Sequence, residues 1–319
     1  MVAHFHRLAG RECRVPRSLA GRAGRGAERR IVSAPIFSRV VIVGVGLIGG
    51  SFALALKQAG LARSVVGVGR QQANLQQALE LGVIDQALPL AEAVTGADLI
   101  FLAVPVAQTE AVLRSLAPHL AAHALITDGG STKQDVIAAA RAALGEKFSQ
   151  FVAAHPIAGS EFNGAAAARV DLYQARRVIL CPEADTPAAA LATVRAVWQA
   201  CGAQVSDMPA AQHDAVFAAV SHLPHMLAFA YMNHVLASDD AELKLQMGGT
   251  GFRDFTRIGG GNADMWADIA LANRKDVLDE IAHFQATLEQ LKEKISSGDR
   301  AALRAFIEAS SQARRQWKI

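Results

Sequence analysis

Arg39-Val-Val-Ile-Val-Gly44-Val-Gly46-Leu47-Ile48-Gly49-Gly50-Ser51-Phe52 decides the fold. A β-branched run leads straight into G-x-G-x-x-G, and an apolar helical pattern follows. Strand, tight turn and helix amino terminus, in that order, make a cradle for a dinucleotide pyrophosphate. Gly44 permits the turn. Gly46 lets phosphates approach a backbone with no Cβ, and Gly49 lets helix and strand pack closely. Leu47 and Ile48 open the helix whose first amides face the phosphates.

The second strand reads Ser64-Val-Val-Gly-Val-Gly69-Arg70. NAD-binding versions of this unit carry an acidic residue there to bond the ribose 2′-hydroxyl. Gly69 takes that place instead, and Arg70 follows. A glycine leaves room for a 2′-phosphate, and a guanidinium can grip it with two parallel bonds. The cofactor expected is therefore NADP. NAD stays as an alternative, through neutral bonds from Gln71 and Gln72.

From Val40 onward, apolar strands alternate with helical segments. Strands are predicted at 39–44, 64–68, 98–103, 124–127, 150–153, 177–181 and 204–208, with helices at 47–60, 71–81, 107–118 and 132–143. This pattern predicts a Rossmann-type, doubly wound and mainly parallel sheet over residues 38–207. The strand Asp98–Val104 ends at Ala103 and Pro105, where the ligand crevice of such a sheet lies. After Met208 no strand pattern recurs. Residues 208–319 read as an all-helical domain, with a break at Pro224 and a glycine-rich interruption at Gly248–Gly251. Val277, Ile281, Phe284, Leu288, Leu291 and Ile295 recur at spacings of four and three. That stripe suits either packing inside one domain or a dimer seam.

Residues 1–37 hold eight Arg and two Glu, a net of +6 against +3 for the whole chain, which leaves −3 for the rest. The basicity sits in the tail, so a nucleic-acid role for the body has no support. The tail is read as a disordered extension, although its composition is similar to that of a transit peptide. Cys13, Cys181 and Cys201 are scattered and odd in number, which suits a reducing, cytoplasmic setting. The uncharged run Val40–Leu56 carries four glycines and reads as strand, turn and helix rather than a membrane span.

Two clusters carry candidate chemistry. Asp128-Gly-Gly-Ser131-Thr-Lys133 and Ala154-His155-Pro156-Ile-Ala-Gly159-Ser-Glu161 both follow predicted strands of the dinucleotide unit. A histidine fixed before a proline there serves either as a general base or as a buried imidazole bonded to a carbonyl. Ser221-His222-Leu-Pro-His225 and Gly251-Phe-Arg253-Asp254-Phe-Thr-Arg257 form the second cluster. The H-x-x-H pair lacks an obvious third ligand, so no metal is expected. Arg257 suits carboxylate binding.

The motifs G-V-G-L-I-G-G-S, L-A-V-P-V, D-G-G-S-T-K, H-P-I-A-G-S-E, S-H-L-P-H and G-F-R-D-F-T-R-I, in this order over about 38–296, resemble the prephenate/arogenate dehydrogenase family of tyrosine biosynthesis. The resemblance implies a Rossmann domain, a helical dimerisation domain and an active site between them. It implies oxidative decarboxylation of prephenate, of arogenate, or of both. His155 matches the family's catalytic histidine, and Ser131 a serine beside the nicotinamide. Arg257 matches the arginine on a substrate carboxylate, His225 a second pocket histidine, and Glu161 an acidic residue at the pocket mouth. Two departures are visible: the missing acidic residue at Gly69, and Thr250 in a glycine run that is often G-G-G-F. Competing readings are a β-hydroxyacid-type dehydrogenase and a non-catalytic NADP sensor. The first usually shows a lysine on its first long helix, and none lies between 209 and 243. The second needs no Ser131–His155 pair.

Overall fold

A computed structural model describes residues 37–160 and 162–317. The basic tail up to residue 36 and Glu161 lie outside the described residues.

Six short strands form one parallel sheet: β1 (Val40–Val43), β2 (Val65–Val68), β3 (Gln86–Ala87), β4 (Leu99–Leu102), β5 (Leu125–Asp128) and β6 (Phe151–Val152). Their order is β3-β2-β1-β4-β5-β6. Helices α1 (Leu47–Gln58), α2 (Gln72–Glu80), α3 (Leu90–Val94), α4 (Thr109–Leu116) and α5 (Gln134–Leu144) connect or follow them. Val40, Val41, Ile42, Leu99, Ile100 and Phe101 are fully buried because helices cover both faces of the sheet. The strand order reverses between β1 and β4, so a crevice opens at their carboxyl ends. Phe52 of α1 and Phe101 of β4 stack at 4.3 Å. Trp198 closes that cluster from α6 (Ala188–Ala200).

The strands predicted at 177–181 and 204–208 do not extend this sheet. β7 (Ala154–Pro156), β8 (Arg177–Leu180) and β9 (Gln204–Asp207) form a sheet of their own, with β7 antiparallel to β8. The ladder breaks because its next donors are taken or missing. The Ala154 amide donates to a side chain, Asp128 Oδ1 at 2.8 Å, and Pro156 has no N–H to give. His155 sits at this switch between sheets. The two-residue β3 carries no alternation and escaped the sequence pattern.

Beyond Asp207 every regular element among the described residues is helical: α7 (Ala210–Phe217), α8 (Leu223–Leu236), α9 (Ala241–Gln246), α10 (Thr250–Thr256), α11 (Ala263–Ala272), α12 (Arg274–Ser296) and α13 (Arg300–Gln316). No break occurs at Pro224. A π-helical turn at Ala218–His222 joins α7 to α8, and the proline falls in the first turn of α8. The widened turn absorbs the missing N–H and the bulk of the ring. Ala210–Leu236 is long and apolar enough to cross a membrane by length and composition: its most apolar 18-residue window has a mean hydropathy of 1.4 and is 28% buried.

Candidate active site

The glycine loop has the shape its sequence requires. Gly44 adopts φ +97°, and a Cβ there would lie 2.3 Å from the Ala103 carbonyl oxygen at the end of β4. A Cβ on Gly49 would lie 2.0 Å from the Gly44 oxygen. A Cβ on Gly46 would meet nothing within 4 Å, and α1 begins there with no side-chain cap. Free first-turn amides above an open glycine fit a pyrophosphate. Pro105 begins the turn after β4, beside Ala103, on the rim of the same crevice. Gly129, after β5, packs against Phe101 and Ile48. Arg70 is exposed at the end of β2, next to the uncapped amino end of α2.

His155 is partly accessible and lies at the start of a buried chain. Its Nδ1 is 2.8 Å from Nε2 of His213, whose Nδ1 is 2.8 Å from Asp214 Oδ1. Asp214 also accepts the amides of Lys133 and Gln134, each at 2.8 Å, so its carboxylate sits on the amino end of α5. Burial pushes its pKa up, but the bond from His213 and the two amides outweigh this and leave it below the usual aspartate value. An ionised carboxylate only accepts hydrogen bonds. His213 must then donate from Nδ1 and accept at Nε2. His155 in turn donates from Nδ1, which leaves its Nε2 lone pair free. Burial, followed by His213, Lys133 and His222, holds the His155 pKa well below 6.5. The ring is neutral at physiological pH, as a base must be.

Lys133 is wholly enclosed. Its ammonium is paired with Asp128 Oδ2 and donates to the Ala154 carbonyl at 2.8 Å. His222, presented by the π turn, is 3.1 Å from Asn273 Nδ2, which also donates to the Asp214 carbonyl. The buried His222 Nε2 has no bonding partner and faces the backbone of Ser131. Burial lowers its pKa to about 4. His225 donates from Nδ1 to the Ser221 carbonyl at 2.9 Å and stacks on Trp266 at 3.6 Å. Burial lowers its pKa too, and the nearby Arg257 guanidinium adds to the shift. Arg257 itself is exposed, on the turn after α10. Ser131, His155 and His225 each lie near His222, and Arg257 lies near His225. Among the described residues no group of His, Cys, Asp or Glu side chains is arranged to hold a metal ion.

Sequence reading missed His213, Asp214 and Asn273. One signal was available: an adjacent His-Asp pair just inside the first helix after Pro209. Nothing in the sequence pointed to Asn273.

Comparison with known proteins gives this geometry its context. Residues 52–207 match the family model described as prephenate dehydrogenase, nucleotide-binding domain, and residues 209–309 match prephenate dehydrogenase, dimerization domain. The chain belongs to the prephenate dehydrogenase family. The cyclohexadienyl dehydrogenase of Zymomonas mobilis is 34% identical over 285 residues, 88% of this chain and 96% of that protein. The solved prephenate dehydrogenase of Aquifex aeolicus, in complex with hydroxyphenyl propionate and NAD+, is 34% identical with a TM-score of 0.83, over 88% of this chain and 98% of that one. Synechocystis arogenate dehydrogenase is 30% identical with a TM-score of 0.71, over 88% of this chain and all of its own. This family member is therefore an oxidoreductase, a prephenate/cyclohexadienyl dehydrogenase of tyrosine biosynthesis that uses a nicotinamide cofactor and a small-molecule substrate. Its helical half carries the family's dimerization domain.

Proposed function

We propose that His155 is the general base, that Ser131 bonds the reacting hydroxyl, and that Arg257 and His225 hold the substrate's carboxylate end. The observation that carries this reading is the Asp214–His213–His155 chain, which fixes a neutral imidazole with a free Nε2. Prephenate has a hydroxyl at C4 and a carboxylate at C1. His155 takes the hydroxyl proton as C4 gives up its hydride. The C1 carboxylate leaves as carbon dioxide, and the electrons of that bond complete the aromatic ring. The proton then returns to the ring oxygen, so His155 ends as it began. A bound nicotinamide supplies the hydride acceptor. Such a base contributes about 10²–10⁴-fold. Arginine at the carboxylate supplies orientation rather than proton transfer. Arogenate differs from prephenate only in an amino group on the side chain, so the same residues act on both. Glu161 at the pocket mouth belongs to the same reading by resemblance.

We assign cofactor binding to the glycine loop, Ala103, Pro105 and Arg70, with residues 38–207 as the cofactor domain and 208–319 as the substrate and dimerisation domain. The last strand ends at Asp207, and the two family models meet there. NADP is the preferred cofactor in this reading. Position 69 offers no carboxylate to repel a 2′-phosphate, and Arg70 stands beside it. A cytoplasmic location accompanies it, supported by buried, free Cys181 and Cys201, whose thiols burial raises to about 12. Steady-state kinetics with NADP and NAD, on prephenate and on arogenate, test this directly. Charge-assisted bonds worth about 1.5–3 kcal/mol translate into roughly 10–150-fold higher kcat/KM with NADP. Gly69→Asp is sterically mild, since the nearest atoms to a new Cβ are those of the flexible Leu75 side chain at 3.3 Å. It should restore NAD use and harm NADP, while Arg70→Ala harms NADP alone. Equal or better kcat/KM with NAD in the wild type would sink the cofactor assignment and leave the catalytic one standing.

A further inference from the structure

Lys133 spends a fully buried ammonium where solvation is lost. Its side chain is 0% exposed and that of its partner Asp128 is 3% exposed. Taking both charges out of water is costly, and apolar replacements of similar volume are often as stable. Stability alone is a poor reason for this pair, so its contacts are informative. Lys133 Nζ donates to the Ala154 carbonyl at 2.8 Å, and Asp128 Oδ1 accepts the Ala154 amide at 2.8 Å. Both polar groups of the residue before His155 are therefore held by one ion pair. The Lys133 backbone amide donates at 2.8 Å to Asp214 Oδ1, the atom that also orients His213. The amide of Gly130, next to Ser131, donates to Asp128 Oδ2 at 2.9 Å.

We propose that Lys133, with Asp128, is a positioning residue for the catalytic base: it fixes both ends of the His155 hydrogen-bond chain from a single point. This rests on His155 being the base. The pair does not touch substrate. It sets the direction of Nε2, and its cation adds to burial in opposing protonation of the imidazole. The other ionisable groups facing His155 or this pair are Asp135 from α5, His213 and Asp214 from α7, His222 from the π turn and Cys181 at the end of β8. His213 and His222 are themselves held below 6.5 by burial, and the Cys181 thiol is raised to about 12. At neutral pH those three are uncharged. Lys133 is then the buried cation that opposes protonation of the ring.

The test uses Lys133→Met and the neutral pair Lys133→Met/Asp128→Asn. The pair leaves no unpartnered charge, so it keeps the question answerable where the single variant fails to fold. In both we expect the acid limb of the kcat/KM profile to move up by about one pH unit. We expect kcat to fall at least tenfold and the dissociation constant for NADP to stay within about twofold of wild type. Proton NMR of the His155 ring, without cofactor or substrate, should show the same upward shift. Folded variants with an unmoved acid limb and an unmoved ring pKa overturn the proposal and leave the pair a packing feature. If His155→Asn keeps wild-type kcat, the base reading falls instead, so the two failures are distinguishable.

Discussion

Val40, Ile42, Leu99 and Phe101 of the dinucleotide half are fully buried within a single chain. In the helical half, Val220 is 65% exposed, Met247 73%, Leu271 69% and Ile295 60%. The first half closes its own core. The second presents many large apolar side chains that one copy leaves in water, more than scattered exposure explains. This half matches a dimerization domain, so the natural cover is a second copy. The halves also divide the labour. In the proposed reading the dinucleotide half brings the reacting groups, Ser131 and His155, with the pair that positions them, and the helical half brings groups that hold the substrate.

That division gives the largest expected effect. His155→Asn should lower kcat by at least about 10²-fold with little change in cofactor affinity. Arg257→Gln, in the helical half, should instead raise KM far more than it lowers kcat, because it removes binding shared by ground and transition states. Lys at 257 should rescue incompletely, since a point charge cannot replace a planar fork. Steady-state kinetics decide both. Near wild-type kcat in the first variant, or an unchanged KM in the second, breaks the division.

The dimer is the next test. Leu278, Leu288 and Ile295 lie along α12 at 54%, 46% and 60% exposure. Sedimentation at micromolar concentration should give twice the 33.7 kDa of the chain, and Leu288→Glu with Ile295→Glu should shift the population toward monomer. Wild type found only as a monomer removes the explanation offered for this surface.

The sequence revealed the parts whose chemistry is local. G-x-G-x-x-G fixes its own turn, and a four-three stripe announces a helix whatever it packs against. Even so, Pro224 misled, because a π turn is a property of the surrounding packing and not of the proline. The second sheet was hidden for a similar reason. β7 leaves the main ladder because Asp128, 26 residues earlier, takes the Ala154 amide. His213 and Asp214 looked like ordinary helix residues until α7 was laid against the amino end of α5. Contacts between distant segments have no signature in spacing.

The smallest effect concerns the seam between the halves in acid. His213 and His222 are buried there and His155 is partly so, and desolvation depresses the pKa of each. A depressed folded-state pKa means that the unfolded chain binds protons the native state refuses. The stability these groups contribute is present above about pH 6.5 and is lost as pH falls toward their folded values. His222 is 1% exposed and shifts to about 4. Alone it should cost about 2 kcal/mol at pH 5 relative to neutral pH. Asp214, depressed below 3.8, titrates beneath this window, and Asp135, raised by burial, acts in the opposite sense near its lower end. Urea midpoints of the wild type should therefore fall between pH 7.5 and 5, and His222→Gln should show a shallower fall whatever its midpoint at pH 7.5. A midpoint flat in pH, or a slope untouched by the substitution, would show that these imidazoles take up protons without opening the seam.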